Sequence, residues 1–170
     1  MGGPPVRCVG LGGRQVRTQQ KYGNIFDHFA VEYEYANGAN ALSTCRQING
    51  CENRVEEVIR GTHGQSFTSS GRAEFKGRSP WRFESANPNP YVVEHADLIA
   101  SIRDGGGLNE AERVAHSTLT AIMGRMSCYT GKAVTWDQAM HSKLDLSPPA
   151  YEFGDLPVRD VPVPGRTPMV

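Results

Sequence analysis

The stretch "NIFDHFAVEYEYANGANALSTCRQI", Asn24 to Ile48, constrains the fold more than any other part of the chain. Two runs of alternating apolar and polar residues meet at Asn37-Gly38. That dipeptide tolerates the positive φ angles of a two-residue type I′ turn, and alternation on both sides marks a half-covered antiparallel pair. A two-residue turn sets Ala36 against Ala39. Tyr33 then opposes Leu42, Val31 opposes Thr44, Phe29 opposes Arg46 and Asp27 opposes Ile48. Ile25, Phe29, Val31, Tyr33 and Tyr35 share one face with a single polar intruder, Asp27, while His28, Glu32 and Glu34 point the other way. The pattern predicts a sheet with one covered face and one open face.

Strand signals extend on either side. Val6 to Gln65 reads as strands, with Val55, Val58 and Ile59 leading into a turn at Gly61-Thr62-His63-Gly64. Short strands around Ser66–Ser69 and Ala73–Phe75 follow, and "PWRFES" at Pro80–Ser85 reads as an edge strand. The character then changes. Asn89-Pro90 starts a helix whose stripe is Val92, Val93, Ala96, Ile99 and Ile102, stopped by Asp104–Gly107. A second helix opens at Asn109 with Glu112 as its capping partner, carries Val114, Leu119, Ile122, Met123 and Met126, and closes at Tyr129-Thr130-Gly131. A third, short helix begins at Thr135 with Gln138 as the reciprocal cap. After Leu146 come six prolines, which exclude helix and predict an extended tail.

Strands first and helices later is the α+β order. The expectation is an open-faced, predominantly antiparallel β-sheet with helices packed on one face and an extended Pro-rich C-terminal tail. A single α+β domain spans 1–146, with strands over about 6–85 and helices over about 90–142, and the tail covers 147–170.

The segment "VRCVGLGGRQVRTQQ" imitates a dinucleotide fingerprint without completing it. Gly10 and Gly12 fill the first two glycine places, but Gln15 stands at the third, and no amphipathic helix follows. The reading is a glycine-permitted bulge or bend in a first strand. The cysteines Cys8, Cys45, Cys51 and Cys128 form no C-x-x-C pair and are read as buried, reduced thiols. Eighteen basic residues balance eighteen acidic ones, so there is no general field for nucleic acid or an anionic membrane. No run reaches the length of a membrane span, and "MGGPPVRCVG" lacks the features of a signal peptide, which makes cytoplasmic the default location.

No complete catalytic set is visible. Asp27 and Arg46 fall diagonally on one face in the hairpin register, which fits either a structural ion pair at the sheet end, the favoured reading, or a ligand-binding charged patch. Arg14 and Arg17, with Arg7, lie along a strand or its continuation, either solvated or positioned for a phosphate. His116 and Ser117 are helix neighbours and point too far apart to act as a base–nucleophile pair. No histidine pair has metal-site spacing, so no metal site is expected.

Taken together, "VGLGGRQ", "YGNIFDHFAVEYEYANG", "RGTHG" and the run from "NPYVVEHADLIASIRDGGG" through "STLTAIMGR", "YTGK" and "TWDQA" resemble the C-terminal half of Gfo/Idh/MocA-type oxidoreductases, the family of glucose–fructose oxidoreductase and inositol dehydrogenase. The resemblance runs from Pro5 onward and is most specific over Glu94–Trp136. It implies an enzyme with an N-terminal Rossmann domain that binds NAD or NADP. Its second domain, an open-faced sheet, helps close a sugar- or polyol-like substrate site and offers an oligomer interface. The family's glycine fingerprint, its E-K-P lysine and its catalytic histidine helix have no counterpart in these residues, so no catalytic residue carries over. Arg14, Arg17, Asp27, His28 and Arg46 are the substrate-side candidates. The chain is accordingly expected to bind no cofactor alone, to lack activity alone, and to self-associate through the open sheet face. Whether it is a fragment or a lone domain stays open, with a free-standing binding or scaffold module as the alternative.

Overall fold

In the computed structural model the described residues are 2–85 and 88–169. They form two compact units, one of Met1–Asn49 with Glu110–Val170 and one of Gly50–Asn109.

The first unit is built on a four-stranded antiparallel sheet. Strands β1 (Arg7–Gly13), β2 (His28–Glu34) and β3 (Asn40–Arg46) run in sequence as a meander. The second unit contributes β4 (Glu57–Gly61), β5 (Gly64–Ser69), β6 (Arg72–Gly77) and β7 (Trp81–Arg82), then helix α1 (Pro90–Arg103). The chain returns to the first unit with α2 (Ala111–Thr130), β8 (Val134–Thr135) and α3 (Trp136–Met140). The first sheet has the order β3-β2-β1-β8 and the second β4-β5-β6-β7, all antiparallel. The α+β class and the open sheets agree with the sequence pattern, but there are two sheets rather than one. No helix of the described residues is long and apolar enough to cross a membrane.

The β2–β3 hairpin differs from its predicted register by one residue. Tyr35 pairs with Ala39 across a three-residue loop, so Tyr33 opposes Ala41, Phe29 opposes Cys45 and His28 opposes Arg46. Gly38 takes φ +81°, and Asn37 Oδ1 accepts from the Ala39 amide at 3.1 Å. This is the three-residue hairpin with a left-handed glycine, which Asn-Gly serves as readily as the two-residue turn. The slip moves Arg46 to the face of His28, away from Asp27.

Packing in the first unit centres on α2 against β1. Cys8, Val31, Tyr33, Met123, Met126, Cys128, Tyr129 and Val134 are buried together. The glycines of β1 are neither a bulge nor a bend, since β1 pairs with β2 without interruption from Arg7 to Gly13. Gly10 instead clears space for the helix, and Gly12 for the His28 carbonyl and the Phe26 ring. A Cβ on Gly10 would stand 2.5 Å from Cys128 Sγ and 3.2 Å from its backbone nitrogen. Three side-chain bonds stitch helix to strand at this approach. Ser127 Oγ accepts from the Gly10 amide (2.8 Å), Cys128 Sγ donates to Leu11 O (3.3 Å), and Cys8 Sγ donates to Met123 O (3.4 Å). Burial pushes both thiols up to about 11, so they act as packing groups and weak donors. Cys45 and Cys51, by contrast, are exposed, against the expectation that the cysteines are buried. Cys45 sits on the edge strand β3, where α2 provides no cover.

Helix ends follow local chemistry unevenly. Asn89 caps α1 through the Tyr91 amide, and Thr135 with Gln138 forms the full capping box of α3. The predicted Asn109–Glu112 box is absent: α2 starts one residue later, with Glu110 at the cap position and no side-chain cap. Gly131 ends α2 in the left-handed conformation. The predicted α1 stripe is present, yet α1 buries none of its residues, because periodicity defines a face without supplying a layer against it. The tail is fixed to the end of α2 by Gly165 N donating to Thr130 O at 2.7 Å.

Gly10→Ala is expected to destabilise the chain by about 1–3 kcal/mol through overpacking against α2. Adding Cys128→Ala should restore part of that loss, since the two changes share one contact. Urea unfolding measures both. Val55→Ala, at a side chain 80% exposed and outside the first sheet, serves as the reference, and a Gly10→Ala effect equally small would contradict the packing.

Candidate functional site

The open face of the first sheet consists of rows set by strand register. Val9, Glu32 and Leu42 lie abreast, then Leu11, Ala30 and Thr44, then Gly13, His28 and Arg46. An Arg7–Glu34 ion pair occupies the opposite end. The five residues singled out from sequence converge at the Gly13–His28–Arg46 end, where the chain leaves β1 and returns through residues 14–27.

Asp27 organises that return. Its side chain is shut off from solvent, and Oδ2 accepts from the backbone amides of Gln15 (2.8 Å), Val16 (2.7 Å) and Arg17 (2.9 Å). Consecutive amides turned on one anion form a nest. Oδ1 takes the His28 Nδ1 at 2.8 Å. Burial works to raise the Asp27 carboxyl, and the three amides with His28 outweigh it, so the net effect lies well below the usual carboxylate range. The Asp27–Arg46 pair inferred from sequence is therefore replaced by Asp27 with His28 and the loop amides.

Neither Arg14 nor Arg17 lies on a strand. Arg14 ties the loop together, donating to Arg17 O (2.6 Å), Gly23 O (2.7 Å) and Gln19 O (3.2 Å). Arg17 donates to Gln47 O (3.4 Å), and its guanidinium stands 5.3 Å from the Tyr22 ring centroid. Beneath the loop, Phe26, Phe29 and Tyr129 pack as an aromatic cluster, with Tyr129 Oη accepting from the Phe26 amide at 3.2 Å.

The chemistry this permits is orientation and polar binding. A His28 ring held by a carboxylate at Nδ1 presents Nε2 as an acceptor in its neutral form and as a donor when charged. Arg46 stands opposite it across the strand pair. Together they place one histidine edge and one guanidinium-bearing residue at the same end of the open face. Among the described residues, no three His, Cys, Asp or Glu side chains converge as a metal site does. A dinucleotide does not fit at β1: the open side of Gly10 is filled by α2 and that of Gly12 by His28 O and the Phe26 ring, and the chain continues through a single 3-10 turn into an antiparallel strand with no α-helix between. Sequence reasoning missed the loop amides on Asp27, because backbone donors carry no residue signature. It also missed Ser127 and Cys128, the small polar pair on α2 that matches the glycines.

No family model and no curated protein matches the sequence. Solved structures do share the fold. An oxidoreductase from Agrobacterium radiobacter in complex with NAD+, L-tartaric acid and magnesium is 14% identical, with a TM-score of 0.57 over 78% of this chain and 43% of its own. The aldose-aldose oxidoreductase of Caulobacter crescentus complexed with glycerol is 17% identical, with a TM-score of 0.59 over 79% of this chain and 42% of its own. The chain thus spans about two-fifths of the length of these structures. At such identities the likeness is one of fold, and at that level it agrees with the resemblance read from the sequence.

Because folding favours ionised Asp27, its stabilisation is complete above about pH 4 and is lost as pH falls below that toward the depressed folded value. Asp27→Asn is expected to cost about 2 kcal/mol at neutral pH. Unfolding free energies measured from pH 7 down to acid should show the wild type losing its advantage over Asp27→Asn below about pH 4. Parallel pH profiles for the two proteins would contradict the role given to the carboxylate.

Proposed function

We propose that this chain is the substrate-side and self-association part of an NAD(P)-dependent oxidoreductase acting on a sugar- or polyol-like substrate. The observation that carries the reading is the fold it shares with about two-fifths of two oxidoreductases, one bound to NAD+ and the other to glycerol. The sheet end bearing His28 and Arg46 suits a hydroxyl-rich ligand, and the Asp27-anchored loop keeps its wall rigid. Hydride transfer needs a nicotinamide, whose site in this reading lies outside these 170 residues. The chain's own residues bind and orient the substrate.

The open face supports the self-association half of the proposal. Val9, Leu11 and Leu42 are exposed in its centre, the latter two at 76% and 73%. Glu32 stands between Val9 and Leu42 and charged groups flank the rows at both ends, so the face mixes exposed apolar and charged groups as surfaces that meet a partner do. A second copy of the same face satisfies this pattern by two-fold symmetry.

Calorimetric titration of the 170-residue chain with NAD+ and NADP+ should give no measurable heat of binding, and a micromolar Kd for either would contradict the proposal. Sedimentation should show a concentration-dependent oligomer that Leu11→Glu with Leu42→Glu converts to monomer. A wild type that stays monomeric at high concentration would remove the self-association claim.

A further inference from the structure

The last turns of α2 and the tail line a half-open cavity of about 330 Å³. Its walls are largely apolar, with Met126 and Tyr129 from the helix and Leu144, Val161 and Met169 from the chain after α3. The tail is a fixed wall here, held by Gly165 N to Thr130 O and by Asn24 Nδ2 donating to Asp160 O at 3.3 Å.

Arg125 lines the same space, its guanidinium carbon 4.2 Å from the Tyr129 ring centroid. Stacking uses the flat face of the guanidinium and leaves its N–H edge as a donor fork. Among the described residues Arg125 makes no ion pair. The second guanidinium in the lining, Arg159, already donates to Asp145 O at 2.7 Å. Asp160 supplies the only carboxylate among the described lining residues, beside the two guanidinium groups. The volume falls at the small end of the range for small-molecule sites, which limits an occupant to one ring or a short chain.

We propose that this cavity binds a small amphiphilic monocarboxylate, its carboxylate paired with Arg125 and its apolar body packed between Tyr129 and Met169. A planar fork matches a carboxylate better than a point charge does. Asp160 and the engaged Arg159 disfavour a doubly charged phosphate at the same place.

The test uses the full chain with methyl-labelled methionine and 4-phenylbutyrate as the probe. Met126 and Met169 line the cavity, while Met123 lies in the core and Met140 is 55% exposed. The Met126 and Met169 methyl signals should shift saturably with the acid, and those of Met123 and Met140 should stay. The neutral 4-phenylbutanamide should bind about tenfold more weakly. Arg125→Met should bring the acid down to the amide's affinity, and Arg125→Lys should fall between. An unmoved Met123 signal in each variant reports an intact core. Where Arg125→Met does not fold, the acid–amide ratio and Arg125→Lys decide alone. Equal binding of acid and amide, saturating shifts confined to other methionines, or no saturation at all would each overturn the proposal.

Discussion

The close approach of α2 to β1 is the constraint on which the first unit depends. A helix normally rides on side chains, but here Gly10 and Gly12 remove them from the strand, and Ser127 and Cys128 keep the helix surface small. At that distance side chains reach the partner's backbone, and Gly10 N–H, beyond the two-residue strand β8, finds Ser127 in place of a strand neighbour. A buried amide without a partner would cost about as much as a lost hydrogen bond, so the serine is part of the sheet's edge chemistry. The same helix then carries Tyr129 to the Phe26 amide and ends at Gly131, where the tail returns.

The loop after β1 follows from the same geometry. Between Gly13 and His28 the chain has only a single 3-10 turn at Gln20–Tyr22, so its amides need partners that regular structure does not supply. Asp27 satisfies three of them with one oxygen, and Arg14 caps three carbonyls from the other side. An anion inside and a cation outside make the loop a polar core in miniature. His28 inherits its orientation from that core, which links the loop's stability to the end of the open sheet face.

Much of this architecture is legible in the sequence. Alternation around Asn37-Gly38, Pro90 after Asn89 and the Thr135–Gln138 box each state a local rule that the structure obeys. The register slip shows where local rules end, since Asn-Gly accommodates loops of two and three residues alike. That single residue carries Arg46 to the face of His28, and Asp27 meets His28 and the loop amides instead. The glycines of β1 suggest a bend that the strand does not make, because what Gly10 accommodates, Cys128, lies more than a hundred residues away in sequence. Sheet number and the exposure of α1 are also tertiary outcomes, and periodicity alone does not encode them.

Hydrogen exchange at the Gly10 amide tests the packing claim most directly. If the helix–strand approach is the anchor, this amide exchanges only with global unfolding, at the same opening free energy as Val31 and Met123. Exchange of Gly10 through a low-energy local opening, while Val31 and Met123 stay protected, would show that the glycine strand is not held by the helix and would contradict the account.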